Sequence, residues 1–296
     1  MKKIIAILLT LILVVGVFSG CSNSNTDAND YSDMSIEALK PMLKTLNEGK
    51  LTMVTSPDFA PYEFYALDEN GNPSLAGFDI DLAKYIAKYL DLELEIIPMD
   101  FDGTILELAA NKADIGMAGY SPDPDREDAM SFSDFYYTGG QCFVCHKNNV
   151  SKFTSLADAN KAEYQIGAQT ASIQAGLAKE HTPNADIVEL AKVTDIIAEV
   201  LAGTLDGAFI ETIVAETYAK SYPDLVVVLN VPYDLEGSVV GVNKNNPVLL
   251  AAVNLAIEAA INDGSMAKFI QDANALANGN IHEGLLDNEG NVPDAQ

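Results

Sequence analysis

Ala113-Asp114-Ile115-Gly116-Met117-Ala118-Gly119 is a short apolar run that stops on glycine, and what flanks it decides how the chain folds. Upstream, Leu51-Thr52-Met53-Val54-Thr55 and residues 92–97 read as strands. Between them Leu82, Ala83, Ile86, Ala87 and Leu90 recur at helical spacing, and Asp79 is placed to cap that helix. Residues 105–112 read as a shorter helix that leads into the quoted run. Strand and helix alternating in this way specify a mainly parallel sheet covered by helices.

The alternation restarts downstream. Residues 164–168, 187–190, 206–210 and 225–229 read as strands, and residues 172–179, 194–202 and 212–220 as helices. Two series of similar size predict an α/β fold with two lobes. Gly139-Gly140-Gln141-Cys142-Phe143-Val144-Cys145 is a β-type segment placed to cross between them. Gly237-Ser238-Val239-Val240-Gly241-Val242 is placed to cross back, ahead of helical stretches at 247–262 and 265–278. The expected division is residues 49–138 plus 238–296 in lobe 1 and residues 139–237 in lobe 2. A ligand cleft is expected between the lobes, beyond the carboxyl ends of the strands.

The start of the chain reads as an address. Lys2 and Lys3 precede an apolar run over residues 4–18, followed by Ser19, Gly20 and Cys21. A basic start, a short apolar stretch and small residues describe a secretory signal over residues 1–20. The run is shorter than the roughly 20 residues a membrane span needs. Residues 22–30 are small and polar and read as a flexible leash, so residues 21–48 are expected to hold an anchor, a linker and an N-terminal helix.

Seventeen basic against 43 acidic residues give a formal charge of −26, which repels nucleic acid and anionic lipid. Three cysteines (Cys21, Cys142 and Cys145) exclude a disulfide-built scaffold. Arg126 stands out because every other basic residue counted there is lysine. A guanidinium offers a planar fork that grips a carboxylate with two parallel hydrogen bonds, which lysine cannot do. On charge pattern alone, a surface arginine satisfied by Asp123, Asp125, Glu127 and Asp128 is an equal alternative.

Several blocks occur in a fixed order: Phe59-Ala60-Pro61-Tyr62-Glu63-Phe64, Gly77-Phe78-Asp79-Ile80-Asp81-Leu82-Ala83 and Met99-Asp100-Phe101-Asp102-Gly103. They continue as Ala118-Gly119-Tyr120-Ser121-Pro122-Asp123-Pro124-Asp125-Arg126 and Phe132-Ser133-Asp134-Phe135-Tyr136-Tyr137. From about residue 51 to residue 278 the chain resembles family 3 of the bacterial extracellular solute-binding proteins. These are the polar amino-acid-binding proteins of ABC importers, and the glutamine- and histidine-binding members are the most similar. The resemblance implies a type II periplasmic-binding-protein fold that shuts on a free amino acid. It implies that Arg126 and the Ser121 hydroxyl hold the ligand's α-carboxylate. Ala118 and Gly119 are then part of the site, with the Gly119 carbonyl accepting from the α-amino group. Phe59 and Phe101 correspond to aromatic walls around the ligand side chain. Glu211 stands where the family has Asp as partner of the ammonium. Ala171-Ser172 replaces a Gly-Thr turn, keeping the hydroxyl at Ser172 and losing the glycine. Ser56 and Gln169 fall where relatives carry Asp and Lys, so an uncharged, polar amino acid is expected.

The resemblance also makes Val17-Phe18-Ser19-Gly20-Cys21 a lipobox-like stretch with Phe18 in place of Leu, and Cys21 the lipidated anchor in the cell membrane. The implied partners are the transmembrane subunits of an ABC permease, the implied state is a monomer, and no cofactor, metal or catalytic residue is expected. A sensor module using the same pocket is an alternative, as is a dehydratase-like enzyme of the same fold. Cys142-Phe143-Val144-Cys145-His146 matches the spacing of c-type haem attachment. On a strand, however, the two thiols face opposite ways, which disfavours both haem and a mutual disulfide. His146, His181 and His282 lie in no motif with an acid or nucleophile partner.

Overall fold

Strand β1 (Lys50–Thr55) is buried from Leu51 to Thr55, as expected of a strand with helices on both faces. The computed structural model describes residues 31–67, 71–234 and 237–278. The signal, Cys21, the leash, His282 and the end of lobe 1 beyond residue 278 lie outside the described residues.

The strands after β1 are β2 (Asp58–Phe59), β3 (Glu63–Leu67), β4 (Pro73–Ala76), β5 (Glu93–Pro98), β6 (Ile115–Gly116), β7 (Met130–Tyr137) and β8 (Gln141–His146). Then come β9 (Gln165–Gln169), β10 (Asp186–Leu190), β11 (Gly207–Glu211), β12 (Leu225–Val231) and β13 (Ser238–Asn243). The helices are α1 (Ile36–Leu39), α2 (Phe78–Tyr89), α3 (Phe101–Ala109), α4 (Leu156–Ala159), α5 (Ile173–His181), α6 (Val193–Ala202), α7 (Thr212–Ser221), α8 (Pro247–Asn262) and α9 (Ser265–Ala277).

Two five-stranded sheets form the two lobes, in the orders β5-β1-β6-β13-β7 and β10-β9-β11-β8-β12. They share one plan. In the first, β1 runs parallel to β5 and β6, while β13 is antiparallel to β6 and β7. In the second, β9 runs parallel to β10 and β11, while β8 is antiparallel to β11 and β12. The antiparallel member of each sheet comes from a segment that the sequence marks as a crossing, and the other four strands share one direction, so each sheet is mainly parallel as expected.

Three features depart from the sequence reading. The apolar run at 113–119 is a strand only at Ile115 and Gly116; the Met117 N–H still donates to the Val54 carbonyl at 3.0 Å, and Gly119 then adopts φ +57°. Strands β2, β3 and β4 build a small antiparallel sheet, which the sequence reading does not assign. Helix α2 is entered from Gly77 (φ +122°) rather than capped by Asp79. A Cβ on Gly77 would lie 2.1 Å from the Tyr62 carbonyl oxygen, so only glycine lets α2 start this close to β3. Asp79, one residue into the helix, is fully buried and turns inward.

Cys142 and Cys145 are free and buried, and pack into different apolar clusters on the two faces of β8. Strand parity separates the thiols as the sequence predicts. Burial pushes both up, Cys145 to about 11, so neither is a thiolate near neutrality.

Candidate functional site

The two lobes meet through hydrogen bonds between side chains of one and backbone or side chains of the other. The Arg126 Nη2 donates to the Ala171 carbonyl at 2.9 Å, and the Tyr233 hydroxyl to the Pro122 carbonyl at 2.9 Å. The Val193 N–H at the start of α6 donates to Asp58 Oδ2 at 2.6 Å, and the Tyr218 hydroxyl to the Asp58 carbonyl at 3.1 Å. The Tyr62 hydroxyl reaches Glu211 Oε1 at 3.4 Å and Ser238 Oγ at 2.9 Å. The lobes are therefore shut in this structure, and most of the residues singled out from sequence lie along their meeting line.

Arg126 sits at the end of a 3₁₀ turn, Pro124–Arg126, started by Asp123, whose side chain accepts from the Asp125 N–H. Only 6% of it is exposed, which rules out the solvated surface arginine. Its Nη1 donates to the Ser121 carbonyl at 3.3 Å, and its guanidinium carbon lies 5.4 Å above the Phe101 ring. Among the described residues no carboxylate comes within ion-pair distance of it. Burial lowers its pKa, and Asp123, beyond ion-pair distance, offsets this only in part.

Glu211 ends β11 and caps α7, its Oε2 accepting from the Val214 N–H at 3.1 Å. It is 4% exposed, and burial raises its pKa to about 8 even though the helix N–H groups favour the carboxylate. Ser172 caps α5, accepting from Ala175 N–H at 3.2 Å and donating to the Gln169 carbonyl at 2.7 Å. Just before it, Ala171 adopts φ +60°. The turn thus keeps a glycine-type conformation with alanine in it, and its carbonyl takes the hydrogen bond from Arg126.

Phe59 and Phe101 are both buried, in separate apolar clusters. Phe59 lies 5.3 Å from Tyr62 and flat enough against Gly119 that a Cβ there would come within 2.7 Å of its ring. Phe101 meets Tyr120 edge-on at 5.7 Å. Ala118 and Ser121 are buried beside them. Ser56 donates to Asp58 Oδ1 at 2.9 Å, and Gln169 Nε2 donates to the Ala191 carbonyl at 3.0 Å and approaches Asp58 Oδ2 at 3.4 Å.

Asp58 is the residue the sequence did not place. Its carboxyl stands between Ser56 and Gln169, and burial raises its pKa to about 6 despite the Val193 N–H. Lys192 acts on it only from a distance. A carboxylate two residues after Ser56 was visible in the sequence, but its direction was not, because β2 is too short to show a period.

The family model for bacterial extracellular solute-binding proteins, family 3, matches residues 51–273. The arginine-binding extracellular protein ArtP of Bacillus subtilis is 33% identical over 223 residues, 74% of this chain and 84% of ArtP. An amino-acid ABC transporter substrate-binding protein of Streptococcus pneumoniae, AbpA, solved with L-arginine, superposes with a TM-score of 0.74 at 32% identity, covering 82% of this chain and 99% of AbpA. The ancestral amino-acid-binding protein AncCDT-1, a precursor of cyclohexadienyl dehydratase, superposes with a TM-score of 0.68 at 32% identity, covering 80% of this chain and 98% of that one.

Left-handed backbone costs alanine roughly 1 kcal/mol relative to glycine. Ala171→Gly is therefore expected to stabilise the ligand-free protein by about 1 kcal/mol in urea denaturation. Unchanged or reduced stability would show that the turn carries no strain.

Proposed function

This chain belongs to family 3 of the bacterial extracellular solute-binding proteins, and we propose that it captures a free basic L-amino acid, arginine first, for an ABC importer by closing its lobes. One observation carries the reading: the Arg126 guanidinium is buried at the lobe junction with no carboxylate of its own. An α-carboxylate supplies the missing anion with two parallel hydrogen bonds, beside the Ser121 hydroxyl. Glu211 on the other lobe receives the α-ammonium, with the Gly119 carbonyl as second acceptor. Because cation and anion come from different lobes, a zwitterion stabilises the closed form over the open one. The crossing segments at 139–145 and 237–242 serve as the hinge, between residues 49–138 plus 238–296 and residues 139–237.

The ligand side chain runs between Phe59 and Phe101 towards Ser56, Gln169 and Asp58. An uncharged side chain was expected from Ser56 and Gln169, but Asp58 between them adds a negative charge without a cation in contact. A guanidinium, which stacks on aromatic rings and forks onto a carboxylate, suits that end of the cleft. Relatives named for arginine support the same choice. Glu211 is read as an ammonium partner rather than as the general acid of an enzyme, since most of the relatives are named for binding. Export with Cys21 as lipid anchor, a monomeric state and docking to permease subunits complete the proposal.

Arg126→Ala is expected to weaken arginine binding by roughly 2–5 kcal/mol, about 30- to several-thousand-fold, in titration calorimetry. A loss below about threefold removes Arg126 from the site. Asp58→Asn is expected to narrow the preference for arginine over citrulline, its uncharged isostere, by about tenfold or more (~1.4 kcal/mol). An unchanged preference assigns side-chain reading elsewhere. An ammonium beside Glu211 lowers its pKa from about 8, so binding near pH 7 is expected to release a proton. Calorimetry in buffers of different ionisation heat measures that release, and its persistence in Glu211→Gln would exclude Glu211 as the source.

A further inference from the structure

Beneath the cleft in lobe 1 lie two acids that the binding reading does not use. Glu63 on β3 and Asp79 on α2 are both 0% exposed. Neither oxygen of Glu63, nor Asp79 Oδ1, has a hydrogen-bond donor among the described residues. Asp79 Oδ2 accepts from the Gly119 N–H at 3.1 Å. The two carboxyls lie close enough to act on each other, and the Tyr136 hydroxyl, itself without a partner among the described residues, acts on Asp79. Asp58, Tyr62 and Tyr120 are the other titratable groups close enough to interact with the cluster, and no basic group acts on either carboxyl.

Two carboxylates in contact, out of water and without a cation, cannot both be ionised. A proton on Glu63, donated to Asp79, satisfies one oxygen of each acid and leaves Asp79 Oδ2 as acceptor for the Gly119 N–H. We propose that Glu63 and Asp79 share one proton and act as a positioning pair that fixes the Ala118–Gly119 peptide for the ligand. The inference rests on the reading of Gly119 as part of the site.

The peptide is trans and planar, so an N–H turned towards Asp79 turns the Ala118 carbonyl the opposite way. It also holds Gly119 at φ +57° against the Phe59 ring. The pair therefore fixes the Ala118 carbonyl directly, and the Gly119 carbonyl of the next peptide through the glycine conformation. Burial, then the neighbouring Asp79, pushes Glu63 well above the usual carboxylate range, while Asp79 rises to about 6 and is the acid that ionises first. A folded-state pKa above the unfolded value means that the folded chain keeps a proton the unfolded chain has released. Stability contributed by the pair is thus fully present below the ordinary glutamate pKa, and is lost as pH rises towards the folded value.

Glu63→Gln tests this, since its amide donates to Asp79 permanently and cannot titrate. In the ligand-free protein at pH 7, the infrared spectrum of wild type minus Glu63→Gln is expected to show the stretch of a protonated carboxyl; Glu211 contributes to both spectra and cancels. Between pH 5 and pH 8 the unfolding equilibrium of wild type is expected to worsen relative to Glu63→Gln by up to tenfold per pH unit. Asp79→Ala, which removes the acceptor of Gly119, is expected to weaken arginine binding at least tenfold. A spectrum without the protonated acid, or parallel pH–stability curves, overturns the shared proton. Wild-type affinity in Asp79→Ala overturns the positioning role. The first two readouts need no ligand, so they decide the pair even if arginine fails to bind or Asp79→Ala fails to fold.

Discussion

A guanidinium taken out of water must be met by an anion or by dipoles, and among the described residues Arg126 touches the carbonyls of Ser121 and Ala171 and the face of Phe101, with no carboxylate at ion-pair distance. That incomplete compensation organises the rest. The 3₁₀ turn at 124–126 presents the arginine, α3 starts at Phe101 directly beneath it, and the turn before α5 spends a left-handed alanine to bring a carbonyl across from the other lobe. Each element is local, but they converge on one charge that the protein does not itself neutralise.

The opposite lobe answers with Glu211, which the fold also leaves in an unfavourable condition, near pKa 8. Holding a buried cation and a buried acid apart on separate bodies makes a zwitterion the natural bridge, and binding and closure become one event. The inter-lobe bonds from Tyr62, Tyr218, Tyr233 and Val193 are also made in this shut state. In the proposed reading, ligands are told apart further along the cleft, at Asp58, Ser56 and Gln169.

Lobe 1 stores further constraint below the cleft. Gly77 permits α2 to start against Tyr62, and this brings Asp79 to Glu63 and to the Gly119 N–H. A helix start, a buried acid pair and the site backbone are thus mechanically one unit. The helical spacing offered a hint: Asp79 falls three and four residues before Leu82 and Ala83, on the buried stripe rather than at the rim.

Sequence alone determined what repeats or is rare. Two α/β series and two crossing segments were legible because hydrophobic periodicity is a local property of the chain. The opposite faces of Cys142 and Cys145 followed from strand parity. Arg126 was legible because a chain that otherwise uses lysine places one guanidinium after a glycine, and ordered motifs named Glu211, Ser172 and the aromatic pair. Tertiary structure alone decided where Asp58 points, that Glu63 meets Asp79, that β2, β3 and β4 pair, and that Ala171 sits at positive φ. These depend on segments of two to five residues, too short to carry a period, and on contacts between residues far apart in the chain. Direction and distance across a cleft are set by packing, which no local pattern encodes.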